Sequence, residues 1–469
     1  MSRRRSGFRK SLVSVGVLAL VFSLLLVFAT PVSAATRCVN TGGTGGCYGS
    51  IQAAVNAANG GDVIHVYPGA YDESVNLSAM DPDGDLTLVT VNNSGTPTPG
   101  TVTVEWHGIE AEFYTTPALD GNLTIDGFIV HSAFPGVEVE VDGGPGANRN
   151  VVIRNVTATE TDDDGIRVSA DGNVTITHCI ASNNEKSGIR VLDVGGDVAI
   201  SDCTTSGNVE NGIWLSSVAG AATISNWAAS GNSNGFMADG LSGSLKIESC
   251  IASGNEVGIS LDELTEADEV LVNGSIICDN SSYGLEADQT ATIDAEGNWW
   301  GCAGGPGAPG CDAVNQGPPI VDFTPWVSRI TASASPDPVM VGEPTVVKFQ
   351  FHGGPPAVYL GEGPGDLGGP APFMVTTDNG ILNGNGATVK EFINAANGML
   401  KVTLVPDRTG IATVTVSGPC GLGDLEGATA VLGVAVAQEE FVPEPGTMLL
   451  LGSGLMGLAG YASLRLRKR

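Results

Sequence analysis

The chain has little positive charge. It contains 21 Lys and Arg against 51 Asp and Glu, for a formal net charge of −30 at pH 7. Nine of these cations lie within residues 3–10 and 465–469, so the remaining 12 face all the acidic residues, a balance of about −39. Such a surface repels polyanions, which excludes nucleic acid as a partner. It also calls for counter-ions, and calcium is the natural one outside the cell.

Aromatic residues are also scarce, and a zinc-type cysteine pattern is missing. Phe, Trp and Tyr make up 6% of the chain, and none of the nine cysteines stands in a CxxC pair. The sequence therefore excludes a zinc site of that type. The hydrophobic content of 42% is ordinary and strongly patterned, which excludes a disordered chain.

Long apolar runs are confined to the two ends. At the N-terminus, Arg3, Arg4 and Arg5 precede an apolar run from Leu12 to Ala29 and a small-residue segment at 31–35. This order predicts a signal peptide over 1–35, with export and removal by signal peptidase. The run is long for a signal peptide, so an uncleaved anchor is the alternative.

The C-terminal segment 439–469 has a second characteristic order. It consists of Pro443, Glu444 and Pro445, then an apolar run at 447–464, then a basic end at 465–469. This order predicts a transmembrane helix with a cytoplasmic stop. The segment resembles the bacterial PEP-CTERM sorting tail, which implies exosortase as a partner and a place at the cell surface or in the extracellular matrix. An ordinary C-terminal anchor and a buried apolar helix are the alternatives.

A repeat of about 24 residues fills the middle of the chain. Segments that begin at Val174, Val198, Ala222 and Leu245 align without a gap. Within each copy apolar and polar residues alternate, which is the period of a β-strand, and Gly or Asn punctuates the corners. A unit this short cannot bury its own apolar face, so successive copies must stack as coils around a common core.

The stacked columns indicate the architecture. We expect an inward aliphatic column that includes Ile176 and Ile200, and a ladder of corner asparagines: Asn184, Asn208, Asn232, Asn255 and Asn280. This pattern resembles the right-handed parallel β-helix of the pectate-lyase-like and NosD-like families. The resemblance implies an all-β solenoid of about ten coils over 36–327, with an N-terminal cap helix at Gly49–Ala58.

The cysteines divide by position. Cys38 and Cys47, and likewise Cys302 and Cys311, are nine residues apart in Gly-rich loops that flank the solenoid, which predicts two disulfides in an exported chain. Three cysteines fall in a buried column and are expected to be small apolar fillers, with a bridge between the first two left open: Cys179, Cys203 and Cys250. The pairing of Cys278 and Cys420 is also left open.

Residues 328–438 have a different composition. The 24-residue period stops, and alternating strands such as 345–351 and 410–417 are separated by Pro and Gly turns, which predicts a small β-sandwich. The segments "SASPDPVMVGEPT" and "LVPDRTGIATVTVS" resemble bacterial immunoglobulin-like repeats of the invasin type. That resemblance implies a spacer or stalk.

Candidate catalytic residues cluster on two adjacent coils. Asp162 and Asp164 precede Arg167, and Arg190 lies one coil later at the same register. Carboxylates beside cations are what a calcium-dependent polysaccharide lyase uses to bind a uronate and remove its proton. The alternative is an acidic corner loop beside two solvated arginines.

Two further segments are candidate binding sites. Asp81, Asp83 and Asp85 alternate around a turn glycine, as in a short calcium loop, although an ordinary acidic turn is the alternative. Trp214 shares the register of Arg167 and Arg190, so a cation and an aromatic side chain would stand in one outward column that could stack sugars. Packing under a loop is the other interpretation of this tryptophan.

These observations predict an exported protein of the cell surface or extracellular matrix. The first hypothesis is a non-catalytic β-helix that binds carbohydrate, mediates adhesion or is structural. The second is a calcium-assisted polysaccharide lyase, glycoside hydrolase or epimerase acting on an acidic glycan. The fold accommodates both.

Overall fold

The computed structural model describes residues 34–78, 84–106, 108–113, 121–132, 134–141, 148–264, 269–288, 292–316, 321–353, 373–391, 399–418, 420–421, 425 and 427–435. The apolar segments at both ends lie outside these residues, as do Pro443, Glu444 and Pro445. Within the described part, no helix is long and apolar enough to cross a membrane.

Residues 36–322 form a solenoid of about 11 turns with three parallel sheets, slightly more than the ten coils expected. We number the strands β1 to β40 along the chain. Face 1 contains β1 (Thr36–Val39), β2 (Val63–Val66), β5 (Leu86–Thr90), β8 (Asn122–Asp126), β11 (Asn150–Arg154), β14 (Val174–Thr177), β17 (Val198–Ser201), β20 (Ala222–Ser225), β23 (Leu245–Glu248), β26 (Val270–Asn273), β29 (Ile293–Asp294) and β31 (Val321–Asp322).

The other two sheets complete each coil. Face 2 contains β3 (Gly69–Asp72), β6 (Val102–Trp106), β9 (Phe128–Ser132), β12 (Thr157–Thr159), β15 (Ile180–Ser182), β18 (Thr204–Ser206), β21 (Ala228–Ser230), β24 (Ile251–Ser253) and β27 (Ile276–Cys278). Face 3 contains β4 (Val75–Asn76), β7 (Ile109–Phe113), β10 (Val137–Val141), β13 (Ile166–Ser169), β16 (Ile189–Val194), β19 (Asn211–Val218), β22 (Asn234–Asp239), β25 (Val257–Asp262), β28 (Tyr283–Asp288) and β30 (Val314–Gln316).

The core consists of stacked side chains in register. Ile176 pairs with Ile200, which pairs with Ile224, and all three are fully buried. The column of Cys179, Cys203 and Cys250 is buried as well, and these three thiols are free. Because neighbouring coils lie about 4.8 Å apart, each column excludes water along the whole axis.

Many corners turn at one residue with a left-handed backbone. Between faces 1 and 2 these residues are polar ones that tolerate a positive φ: Asn155, His178, Asp202, Asn226 and Ser249. One such residue redirects the chain with few connecting residues. The corners therefore stay short and the sheets stack closely.

The asparagine ladder forms at the corner between faces 2 and 3. Nδ2 of Asn208 donates to Oδ1 of Asn232 at 2.9 Å and to the carbonyl of Ala181, while Oδ1 of Asn208 accepts from the backbone and side chain of Asn184. The ladder continues through Asn255 to Asn280. Every buried amide in the middle of the ladder thus finds a partner on the next coil, as burial requires.

Different side chains end the ladder. At its start, the hydroxyl and backbone N–H of Thr161 donate to Oδ1 of Asn184. At its end, Nδ2 of Asn280 donates to Oδ2 of Asp312 at 2.7 Å. Burial raises the pKa of Asp312, and the hydrogen bonds from Asn280 oppose this shift.

A short helix, α1 (Ile51–Val55), covers the first coil and is shorter than the predicted Gly49–Ala58 segment. The side chain of Ser50 caps it, and the carboxylate of Glu73 accepts the backbone N–H groups of Ile51 and Gln52. A carboxylate at a helix N-terminus satisfies donors that the helix itself cannot. This contact gives a structural role to Glu73, which directly follows β3.

The chain then forms two further sheets, mostly antiparallel. One contains β32 (Arg329–Ser335), β34 (Thr345–His352), β38 (Met399–Val405) and β36 (Ile381–Leu382). The other contains β33 (Val339–Met340), β40 (Thr429–Ala435), β39 (Gly410–Ser417), β35 (Phe373–Thr377) and β37 (Thr388–Glu391). Their buried residues form one hydrophobic cluster, while membership of the immunoglobulin-like class stays a prediction.

This second domain is joined to the last coils. Cys278 of the solenoid forms a disulfide with Cys420, and the indole N–H of Trp299 donates to the carbonyl of Cys420 at 3.1 Å. Ile276 and Trp299 belong to the same hydrophobic cluster as the second domain. Disulfides also join Cys38 to Cys47 and Cys302 to Cys311, the two pairs that the sequence predicts.

Candidate functional site

The outward side of face 3 carries chemically distinct side chains in one column. Strand pairing places Arg167 beside Arg190, Arg190 beside Trp214, and Trp214 beside Met237. Their neighbours along each strand point inward and are buried, so these four side chains project from the sheet. The structure thus brings together Arg167, Arg190 and Trp214 as the register predicts.

Arg190 contacts two groups that the sequence singles out. Its guanidinium carbon lies 4.1 Å from the centre of the Trp214 ring, which is a cation–π contact. Its Nη1 lies 3.5 Å from Oδ2 of Asp164. One arginine therefore links a buried carboxylate on the preceding coil to an indole on the next.

Asp164 lies beneath the face and not on it. Its side chain is 0% exposed, and its Oδ1 accepts the backbone N–H of Ser187 at 3.0 Å. Burial raises the pKa of this carboxyl, although the Ser187 N–H and the charge of Arg190 favour the ionised form. Asp164 is therefore positioned to hold Arg190 and has no access to a solvent-side ligand.

Within the described residues, three buried polar atoms of this cluster make no hydrogen bond, although one of them, Oδ2 of Asp164, lies in the ion pair with Arg190. They are Oδ2 of Asp164, Nε of Arg190 and Nε1 of Trp214. Leaving a buried polar atom without a hydrogen bond costs about 1–3 kcal/mol, and this cost applies to Nε of Arg190 and Nε1 of Trp214. Their grouping marks this point of face 3 as the strongest candidate site in the described part of the chain.

Asp162 does not join this cluster, contrary to the sequence-based expectation. It is exposed at the corner before β13, and its carboxylate makes no ion pair with Arg167 or Arg190. The intervening Asp163 pairs with Lys186 at 2.8 Å. Burial works against ionisation of Asp163, but Lys186 and the N–H of Asp164 outweigh it and lower its pKa. The three consecutive aspartates point in different directions because they form a tight corner.

Four glutamates extend the face upstream. Glu110 pairs in register with Glu138, and Glu112 pairs with Glu140. Burial raises the pKa of Glu138 and of Glu112, and the neighbouring glutamates add to both shifts, while Arg167, 3.5 Å from Glu138, opposes the shift of Glu138. The repeat pattern did not reveal these residues because their coils are longer than 24 residues and fall out of phase.

Of the three aspartates of the predicted calcium loop, the structure describes only Asp85. Asp81 and Asp83 lie outside the described residues. Oδ1 of Asp85 accepts both the backbone N–H of Asn122 at 2.7 Å and its side-chain amide at 3.1 Å. This carboxylate therefore has a role in joining two coils, and a calcium loop at Asp81, Asp83 and Asp85 stays a prediction.

Two segments of the chain match models of known families. Residues 120–299 match the family model described as "Right handed beta helix region". This part of the parallel solenoid is therefore similar to a right-handed β-helix. Residues 441–468 match the PEP-CTERM protein-sorting motif, which implies that the chain is exported and associated with the cell envelope. No curated protein sequence matches the chain.

Several solved structures resemble the β-helix distantly. Pectate lyase Pel9A is 15% identical, with 63% of this chain and 80% of that chain covered at a TM-score of 0.33. The Azotobacter vinelandii mannuronan C-5 epimerase AlgE6 A-module is 15% identical, covering 58% and 94% at 0.32. The complex of XylC with xylose is 11% identical, covering 85% and 99% at 0.34. Likeness at this level carries no information about the chemistry of face 3.

Proposed function

We propose that this chain is an exported envelope protein whose face 3 binds a polysaccharide without cleaving it. The observation that carries the proposal is the outward column of Arg167, Arg190, Trp214 and Met237 on consecutive coils. Guanidinium groups donate in a fixed fork to hydroxyl and carboxylate oxygens, and an indole packs against the apolar side of a sugar. The side chains of this column follow one another at the regular spacing of the coils, which suits a ligand made of repeating units.

The short corners support binding over catalysis. On the coils of these residues, face 3 is bordered by the corners 160–165, 183–188, 207–210 and 231–233 on one side and by 170–173, 195–197, 219–221 and 240–244 on the other. None of these exceeds six residues, so no long loop covers face 3 on these coils. An extended glycan can lie across such a surface, whereas catalysis favours a concave site that excludes water.

The burial of Asp164 gives the same indication. It is the best placed of the predicted catalytic carboxylates, yet it is 0% exposed and paired with Arg190. A general base must come within hydrogen-bond reach of the proton that it removes. Asp164 fits the role of a positioning residue that fixes the angle of Arg190 against Trp214.

One observation favours the alternative of an enzyme. The raised pKa of Glu112 and of Glu138, among four glutamates on two coils, resembles the requirement of a glycoside hydrolase for one protonated and one ionised carboxyl. A calcium-assisted lyase or an epimerase on an acidic glycan would instead need a bound cation, for which the Asp81, Asp83 and Asp85 loop is the candidate. We rank both below binding.

Affinity electrophoresis of the full chain through gels that contain acidic or neutral polysaccharides tests the proposal. Trp214→Ala should weaken retention by about tenfold, since it removes one aromatic contact and frees Arg190. Thr223→Ala is the matched control, because it alters an outward residue of face 1 on the same coil and should migrate like the wild type. Equal retention of wild type and Trp214→Ala on every glycan would overturn the proposal.

A further inference from the structure

The outward side of the four-stranded sheet in the second domain is basic. Strand pairing places Lys348 directly opposite Lys401, and Arg329 opposite His352. The residues between them along the strands, such as Val347 and Phe349, are buried, so the cations point outward. Among the described outward positions of β32, β34, β36 and β38 there is no Asp or Glu. We call this surface the lysine face.

Within the part of the chain that the structure describes, no acidic side chain pairs with the two lysines of the lysine face. Like charges that face each other directly across two strands are destabilising. In a chain with 51 acidic residues, two unpaired lysines in direct opposition indicate a surface that meets an anionic partner.

A complementary surface lies on the β-helix of the same chain. Asp239 pairs in register with Asp262, and Asp262 pairs with Asp288, so three carboxylates follow one another on the last coils of face 3. No ion pair to a cation is found for them within the described residues. Both arrays follow strand spacing, with about 4.8 Å between neighbouring charges. Two lysines can therefore meet two aspartates in register.

We propose that the lysine face of one copy docks on the Asp239–Asp262–Asp288 row of a second copy. Because the two surfaces differ, the contact is heterologous and adds copies head to tail instead of closing a two-fold dimer. The overall negative charge does not prevent this, since at physiological salt charges more than about 8 Å apart are largely screened. The arrangement would build an envelope protein into an array.

Light scattering of the full chain in detergent, with size separation, tests the proposal. At about 0.1 M salt the particle mass should rise with concentration, and at about 1 M salt, where the screening length is about 3 Å, it should fall to a single copy. Lys348→Glu with Lys401→Glu should abolish the rise. So should Asp239→Lys with Asp288→Lys, which leaves Asp262 to accept the N–H of Glu263.

Mixing the two variants is the decisive arm, because the intact lysine face of the aspartate variant can then dock on the intact Asp239–Asp262–Asp288 row of the lysine variant, and association into pairs should return. Glu210→Lys with Glu256→Lys raises the net charge by as much as the aspartate reversals, but on corners away from both surfaces, and should associate like the wild type. A single copy at every salt and concentration would overturn the proposal. Association that neither salt nor the lysine reversals change would also overturn it, because contact between the apolar ends of the chain would behave in that way. Association that depends on calcium alone would overturn it as well. Capture of anionic vesicles or glycans by the lysine face without self-association would assign it to another partner.

Discussion

Arg190 is the residue on which the candidate site depends. It is the counter-ion of a carboxylate with no exposure and the stacking partner of Trp214. The role of Arg190 could not be assigned from the sequence alone. The repeat predicts its place in the outward column, but it does not predict that Asp164 is buried. The outward column was therefore predictable, whereas the separation of Asp164 from the exposed Asp162 was not.

Replacing Arg190 by methionine should destabilise the fold in a pH-dependent way. At neutral pH the variant leaves Asp164 buried without a counter-ion, and we expect a loss of about 3 kcal/mol in the free energy of unfolding. The pKa of Asp164 is already raised by burial and would rise further. Protonation then favours the folded state, so the loss should shrink as the pH is lowered through the folded-state pKa. Urea unfolding between neutral and mildly acidic pH measures this.

Two further variants control for that experiment. Arg167→Met should cost less than about 1 kcal/mol, because its partner Glu138 remains partly exposed to water. Arg190→Met combined with Asp164→Asn should recover much of the lost stability, since no buried charge remains. A pH-independent loss that Asp164→Asn does not relieve would show that Asp164 is not held by Arg190.

At the scale of elements, the repeat explains most of what the sequence predicts. Between Val151 and Asn280 the 24-residue period gives the correct strands, inward columns and ladder, because each coil repeats the same environment. Upstream, Glu110 and Glu138 are paired although they are 28 residues apart. The corners of these coils are longer, so the 24-residue period no longer predicts which residues pair. Helix α1 ends at Val55, before the apolar pattern of the sequence ends, so the pattern predicts a longer helix than the structure contains.

The glycines that follow each ladder asparagine have a steric reason. A Cβ on Gly188 would lie 2.8 Å from Nδ2 of Asn208 and 2.8 Å from the carbonyl of Gly212. Such contacts are closer than packed atoms tolerate. A glycine therefore recurs at this position of the coils because the ladder amide occupies the space of a side chain, as at Gly165, Gly188, Gly212, Gly235 and Gly258.

The ladder should be weaker at its end than in its middle. Asn208→Ala leaves the partners on both neighbouring coils unsatisfied at a buried site, so we expect a loss of about 3 kcal/mol in the free energy of unfolding. Asn280→Ala should cost roughly half as much, because Asn280 is half-buried and water can replace its bonds. Urea unfolding followed by circular dichroism measures both. Equal losses would contradict the burial argument.

At the scale of the whole molecule, the joint between solenoid and second domain lay beyond sequence reasoning. Cys278 and Cys420 are 142 residues apart, and no local pattern relates them. Their disulfide and the Trp299 contact join the last coils to the domain that precedes the sorting motif. The solenoid is therefore connected to the C-terminal part of the chain by more than its linker.

The central claim is that face 3 binds a glycan and leaves it intact. The measurement that tests this most directly is the chain length of a bound polysaccharide after long incubation with the full chain, with and without calcium. We predict retention of acidic or neutral glycan by the wild type, loss of retention in Trp214→Ala, and no shortening, unsaturated ends or epimerised residues in any sample. Products that accumulate with the wild type and disappear in Glu112→Gln or Asp164→Asn would contradict the account and establish an enzyme.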